Sequence, residues 1–348
     1  MKSAPLSLLP EALLPWYKEN KRDLPWRNNK EPYQVWLSEI MLQQTRVEAV
    51  KGYYARFLQA LPTIEDLANC DDEKLHKLWE GLGYYSRVRN LKKCAQTIIH
   101  AYGGIFPSRY EDVLALPGIG PYTAGAICSI CFDLPTPAVD GNVLRVITRI
   151  TADETPIDSP AFQKKVRQDL AKIYPQNAGD FTQAMMELGA TLCGPNRKPN
   201  CNVCPCHAFC QSAKTGNWEA FPVKSPKKPR RLEEMTVFLL SCQGYYALQK
   251  RPNRGILAGL WEFPHTPGIL PVPDAVAYIE GLGIPVQEVK RQRKCTHIFT
   301  HVQWDMNGIY LEVSQKHPSF VWLCDEEIEK ETALPTAFRQ FWEGQHHV

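Results

Sequence analysis

Over residues 31–61, EPYQVWLSEIMLQQTRVEAVKGYYARFLQAL, apolar positions return at helical spacing, with Val35, Leu42, Arg46 and Val50 near one face. The same period recurs in DEKLHKLWEGL, SRVRNLKKCAQTIIHAY, YEDVLAL, YTAGAICSICF, NVLRVITRI, PAFQKKVRQDLAKIY and DFTQAMMELGATLC. Most of these runs end at Gly or Pro, as helices do. The texture then changes. MTVFLLSCQGYYALQKR reads as two strands joined at Gln243-Gly244, and HIFTHVQWDMNGIYLEV as a hairpin turned at Asn307-Gly308. Between them PDAVAYIEGLG reads as a helix, and DEEIEKETALPTAFRQFWEG closes the chain as helix. The pattern predicts a multidomain chain. An all-α domain spans residues 1–217, a linker 218–232, and a smaller α+β domain 233–348.

Composition narrows the class. With 348 residues, each domain can bury a full core. No run approaches the roughly 20 apolar residues of a membrane span. The first fourteen residues carry one Lys and no small-residue cleavage pattern, so no secretory signal is expected. A cytosolic or nuclear protein follows, with no membrane partner. The net charge of +3 permits nucleic-acid binding without arguing for it. VKSPKKPRRL, residues 223–232, holds five Lys or Arg and reads as a solvated linker able to touch phosphate. In a reducing compartment clustered cysteines more often bind metal than pair. Seven of the twelve cysteines are scattered and read as small buried apolar residues. The other five, Cys193, Cys201, Cys204, Cys206 and Cys210, crowd into TLCGPNRKPNCNVCPCHAFC.

LALPGIGPYTAGAI, residues 114–127, ends one helix and starts another at Pro121. Gly118 and Gly120 allow positive φ and leave amides uncovered at a helix N-terminus, which suits a phosphate oxygen. The bare Gly-x-Gly reads equally as a plain connection. The full string resembles the helix-hairpin-helix of DNA-binding proteins, which grips backbone without reading bases. Farther on, PAVDGNVLRVITR places Asp140 just before a helix, where alone it reads as an N-cap. Hairpin, Asp-Gly-Asn-Val and cysteine cluster together resemble the endonuclease III superfamily of DNA glycosylases, over most of the first 210 residues. That resemblance implies Asp140 as a catalytic residue. Bifunctional members carry a Lys in the hairpin as Schiff-base nucleophile. Here Tyr122 occupies that position, so a monofunctional enzyme is expected.

DLPWRNNKEPYQVWLSEIMLQQTRV, GLGYYSR and AMMELGA are similar to the MutY family, adenine glycosylases acting opposite 8-oxoguanine. Glu39 lies on a largely apolar stripe. The residues alone allow a carboxylate partner for a buried Arg as readily as a catalyst. The resemblance makes Glu39 the general acid that protonates adenine, with a pKa raised by an apolar pocket. Asp140 would stabilise the oxocarbenium-like sugar, assisted by Tyr122 and Asn142. Gln44 and Tyr84 would contact or wedge beside 8-oxoguanine. Arg22, Arg27 and Gln183 match residues near the adenine pocket. The implied partner is duplex DNA carrying adenine opposite 8-oxoguanine or guanine, bound by a monomer. The implied location is the bacterial cytoplasm at the nucleoid, or a eukaryotic nucleus. The chief rivals are a glycosylase-lyase, a non-catalytic DNA-binding protein and a nucleotide hydrolase with a helical appendage.

YYALQKRPNRGILAGLWEFP resembles the opening strands of Nudix hydrolases. The metal-binding R-E-x-x-E-E helix does not follow, which implies a Nudix-like binding domain. In the family a short F-S-H loop checks for 8-oxoguanine, and here it is Phe299-Thr300-His301. The family also binds a 4Fe–4S cluster with C-x6-C-x2-C-x5-C. Cys193, Cys201, Cys204 and Cys210 fit it, with seven residues rather than six in the first gap. Cys206 reads as a spare beside the cluster. Four-Cys zinc, or Cys206 in place of Cys210, are the alternatives. Arg197 and Lys198 in the pinned loop would face the DNA backbone.

Overall fold

The computed structural model describes residues 5–226 and 229–343, so Lys227 and Lys228 of the basic linker lie outside the described residues. The chain forms two compact units. One combines the chain up to Asn69 with Arg89–Pro226, and the other combines Cys70–Val88 with the chain from Lys227 onward. No helix among the described residues is long and apolar enough to cross a membrane.

The helices up to the linker are α1 (Leu9–Asn20), α2 (Pro32–Leu42), α3 (Val47–Ala60), α4 (Ile64–Asn69), α5 (Asp72–Trp79), α6 (Ser86–Tyr102), α7 (Tyr110–Ala115), α8 (Pro121–Phe132), α9 (Gly141–Thr151), α10 (Pro160–Ala171), α11 (Ala178–Thr191) and α12 (Gln211–Thr215). Of these, α5 lies in the second unit. In the first, α8 is central and packs against α2, α7 and α11. Its residues Thr123–Ile130 are all buried. Leu9 and Leu13 of α1, Leu144 and Ile147 of α9 and Phe181 and Leu188 of α11 share one core cluster. Gly125 has a specific task in α8. A Cβ there would overlap the Pro137 carbonyl. Its absence lets the chain cross the helix and deliver Asp140 to the start of α9. Ser129 and Thr136 hydroxyls both donate to the Gly125 carbonyl, at 2.7 and 3.2 Å, and hold that crossing in place.

Two features differ from the periodic pattern. Residues 31–61 are not one helical run. The chain breaks after Leu42, because Gln44 takes a left-handed φ of 58° before α3 begins. The helix α1 was hidden from the pattern by its prolines, one in the first turn and Pro15 inside it.

The second unit holds β1 (Arg231–Cys242), β2 (Tyr245–Lys250), β3 (Trp261–Glu262), β4 (His265–Pro267), α13 (Val272–Gly281), β5 (Val286–Ile298), β6 (Val302–Val313), β7 (Val321–Cys324), α14 (Asp325–Lys330) and α15 (Thr336–Glu343). The sheet runs β3-β2-β1-β6-β5, with β4 on β1 and β7 on β2. Only the β1–β6 pairing is parallel among these described strands. From Met235 onward strand β1 is buried on both faces. Val237 and Leu239 join Phe338, Phe341 and Trp342 of α15, whereas Phe238 and Leu240 join Ala275 and Ile279 of α13. The β1–β2 turn falls at Gln243-Gly244, both with positive φ as a two-residue hairpin requires.

Asn307-Gly308 is not a turn. It lies inside β6, paired with Arg293 and Lys294 of β5. Glycine is needed there for close approach, since a Cβ would stand 2.6 Å from the Phe341 ring. The hairpin instead turns after Ile298, where the Phe299 amide donates to the Val302 carbonyl at 2.8 Å. The closing helix is likewise two pieces, α14 and α15, separated by a segment containing Pro335.

Candidate active site

In the first unit a cavity of about 630 Å³ opens between α2, the hairpin before α8, the start of α9 and α11. Its wall includes Glu39, Gln44, Gly118, Gly120, Tyr122 and Asp140. Asn142, Gln183, Arg22 and Arg27 also line it, whereas Tyr84, Arg197, Phe299, Thr300 and His301, likewise expected from sequence, do not.

Glu39 projects from α2 and is only 6% exposed. Burial raises its carboxyl from 4.5 to about 7; the Tyr122 hydrogen bond lowers it, the Asp140 charge raises it and Arg27 lowers it. The Tyr122 hydroxyl donates to Glu39 Oε2 at 2.7 Å. Burial, then the charge of Glu39, pushes the Tyr122 phenol well above its ordinary value, so it stays a donor.

Asp140 caps α9. Its Oδ1 accepts the Val143 N–H and its Oδ2 accepts from Asn142 Nδ2, both at 2.8 Å. Burial pushes this carboxyl up, and although those hydrogen bonds and Arg145 pull it part of the way back, it stays above its usual value. Two carboxyls thus share one cavity in different settings, Glu39 against an apolar wall and Asp140 on fixed donors. Asn142 is itself held, because Arg145 Nη2 donates to its Oδ1 at 3.0 Å and to the Gly189 carbonyl at 2.9 Å.

The hairpin glycines differ in kind. Gly118 has a φ of 76°, and a Cβ would sit 2.6 Å from Asn90 Cβ. Gly120 has an ordinary extended φ of −97°, and a Cβ there would meet open space. Nothing within the unit demands glycine at 120.

Sequence reasoning missed the role of Glu187, although it lay inside the AMMELGA string. It is fully buried and receives Arg22 Nε at 2.6 Å, Arg22 Nη2 at 3.1 Å and Arg27 Nη2 at 2.7 Å. Burial alone raises its carboxyl, but these hydrogen bonds outweigh it and hold the group below the usual range. Arg27 also stacks over the Tyr17 ring at 5.6 Å. The signal for Glu187 is two cations near a pocket, which need a fixed counter-charge.

A second, smaller cavity in the same unit is lined by Cys193, Cys201, Cys204, Cys206 and Cys210, with Val146, Ile150 and Trp218. Arg149 Nη1 donates to Cys193 Sγ at 3.3 Å and to the Gly194 carbonyl at 3.0 Å. The Cys206 thiol, only 1% exposed, lowers the pKa of Cys204 by hydrogen bonding to it. Burial pushes the Cys201 and Cys210 thiols up, whereas Cys204 is held below its ordinary value; what suits iron–sulfur ligation is the soft sulfur set that lines this one cavity. Among the described residues no three metal-binding side chains are placed to share one ion. Arg197 is exposed and folds back to donate to the Thr191 carbonyl.

In the second unit Phe299, Thr300 and His301 form the tip of the β5–β6 hairpin. Phe299 packs on Trp304, with ring centroids 4.7 Å apart, whereas Thr300 and His301 are exposed. The Tyr84 hydroxyl lies 3.3 Å from Thr300 Oγ1.

Residues 37–176 match the HhH-GPD superfamily base excision DNA repair proteins, and residues 236–344 match the NUDIX domain. The chain is 35% identical to an adenine DNA glycosylase of Rattus norvegicus, over 95% of this chain and 77% of the relative. It is 34% identical to that of Homo sapiens, over 95% and 73%. Among solved structures, a thermostable thymine-DNA glycosylase is 28% identical with a TM-score of 0.55, covering 62% of this chain and 97% of its own.

Proposed function

The chain belongs to the adenine DNA glycosylase family, and on that footing we propose that it hydrolyses the N-glycosidic bond of adenine facing 8-oxoguanine or guanine in duplex DNA. The observation that carries this reading is Glu39, a buried carboxyl with a pKa near 7 in the same cavity as Asp140. Adenine leaves poorly as an anion. Glu39, protonated near neutral pH, delivers a proton to N7 so that the base departs neutral. Asp140, ionised and fixed by Val143 and Asn142, stabilises the positive charge left on the sugar. Tyr122 orients the acid through its hydrogen bond. Water completes an abasic site.

The cavity volume lies in the range that accepts a small aromatic ligand, so it suits a base swung out of the duplex. Arg22, Arg27 and Gln183 face that base. Gly118 and Gly120 present amides to one strand's phosphates. No lysine stands at the hairpin position held by Tyr122. The enzyme therefore leaves the strand intact, as a monofunctional glycosylase.

The hairpin tip Phe299-Thr300-His301 reads the opposite base, with Tyr84 and Gln44 as wedge and contact. Helix α13 offers only Asp274 and Glu280 as acids, short of the carboxylate run of a Nudix hydrolase. This domain binds and does not hydrolyse. Cys193, Cys201, Cys204 and Cys210 hold a 4Fe–4S cluster, with Cys206 as a thiol donor beside it. When bound, that group supplies a rigid pin for the loop carrying Arg197 and Lys198 against DNA. The enzyme works as a monomer, at the nucleoid or in a nucleus.

The test uses a duplex bearing adenine opposite 8-oxoguanine, scored for strand breaks with and without hot alkali. Breaks only after alkali are expected, and none with Glu39→Gln. Breaks without alkali would show a lyase, and no breaks in either condition would sink the enzymatic reading. A brown protein containing iron supports the cluster; a colourless zinc protein refutes it.

A further inference from the structure

Tyr84 and Thr300 are far apart in sequence, yet their hydroxyls lie 3.3 Å apart. Tyr84 stands in a turn between α5 and α6 in which Gly81, Gly83 and Tyr84 itself all take positive φ. The turn is braced from within. Trp79 Nε1 donates to the Gly83 carbonyl at 3.1 Å, and Arg87 Nη2 donates to the Leu82 and Gly83 carbonyls at 3.0 Å. These bonds fix the shape of the turn but not its place. Its place depends on α5, which carries Asp72 and Glu73 in its first turn and Glu80 at its C-cap.

Glu73 Oε2 accepts the indole N–H of Trp261 at 2.8 Å, and its Oε1 pairs with Lys250. Glu80 Oε1 accepts from Arg339 Nη2 at 2.8 Å and from the Leu334 amide at 3.1 Å. The Glu80 and Arg339 side chains are only 16% and 21% exposed, so this pair is partly shielded from water. Charge-assisted bonds of this kind are stronger and more directional than neutral ones.

We propose that Glu73 and Glu80 are positioning residues for reading the base opposite adenine. They clamp the segment 70–88 onto β2, β3 and α15, so that Tyr84 and Thr300 act as one rigid reading head. The inference deepens the reading of Tyr84 and Thr300 given above and rests on it. Neither carboxylate reaches the hairpin tip. Each acts by fixing where the wedge stands. A hydrogen bond at 3.3 Å has little slack, so a small drift of the turn separates wedge from hairpin.

The test measures single-turnover adenine excision by the full-length protein, opposite 8-oxoguanine and opposite guanine. Wild type is compared with Glu73→Ala, Glu80→Ala, their double variant, and the Gln variants. In the double Ala variant the preference for 8-oxoguanine should fall about fivefold or more, the size of a typical coupling. The loss should lie in the 8-oxoguanine duplex, with the guanine duplex unchanged within about twofold. The Gln variants keep an acceptor for Trp261 and Leu334 and should retain the preference. If the double variant does not fold, Glu73→Ala alone, at a carboxylate 36% exposed, gives the same readout. A preference that survives the Ala variants, or a parallel loss on both duplexes, overturns the clamp alone. A wild type with no preference overturns the opposite-base reading and the clamp with it.

Discussion

Replacing Glu39 by Gln is expected to abolish adenine excision and, at neutral pH, to stabilise the fold. The carboxyl titrates at about 7 in the folded chain instead of 4.5, raised chiefly by burial. Between those values the folded state holds a proton that the unfolded state has released, so stability falls as pH rises through that window. The gap between 4.5 and about 7 corresponds to about 3 kcal/mol. It is fully expressed above about pH 7 and absent below about 4.5. Gln carries no charge at any pH, and its side-chain oxygen still accepts the Tyr122 hydroxyl. The variant should therefore exceed wild type by about 3 kcal/mol near pH 8, and by less than about 1 kcal/mol near pH 5. Paired urea denaturation curves at the two pH values measure this, because titrating groups that do not interact with Glu39 cancel in the comparison. An advantage equal at both pH values would refute the raised acid, and with it the proton donor.

Four further outcomes follow from the same geometry. The excision rate should fall as pH rises through about 7, where Glu39 loses its proton, and a rate flat to about pH 8.5 would contradict the assignment. Gly118→Ala should lower the melting temperature, because of its φ of 76° and the Asn90 contact. Gly120→Ala should melt like wild type yet bind duplex DNA more weakly by fluorescence anisotropy; unchanged affinity would remove the hairpin amides from the interface. Glu187→Leu strands Arg22 and Arg27 beside an apolar side chain and should cost about 3–5 kcal/mol in denaturant titration, with a loss under about 1 kcal/mol counting against the network.

Much of the site could be read from sequence because it sits at the starts of elements, where side-chain type and backbone geometry are coupled. Asp140 reads as a cap and is one, and Pro121 marks the first turn of α8 where it is expected. What eluded the pattern depends on contacts between distant segments. Asn307-Gly308 carries a strong local turn signal, yet it lies in mid-strand because Phe341 needs the space. The left-handed Gln44 interrupts a helical period that has no Gly or Pro to announce the break. Glu187 is visible only once two arginines from before α2 are seen to converge on it. DEKLHKLWEGL reads as an ordinary helix, and its place in the strand-rich unit shows only in contacts with distant residues, among them the Glu73–Lys250 and Glu80–Arg339 pairs.

The acid's proton affinity is set largely by carbon. Val35, Ile130 and Met186 line the same cavity as Glu39 and carry no charge, yet they make up part of the medium in which its carboxyl must ionise. A methyl group lost from that wall admits water and lowers the pKa; one gained does the reverse. Residues that look like mere filling thus act as a dial on the pH range of the enzyme. Drift among aliphatic side chains can move the working pH without touching either carboxylate, and a survey of activity against pH in such variants would read the wall as a solvent.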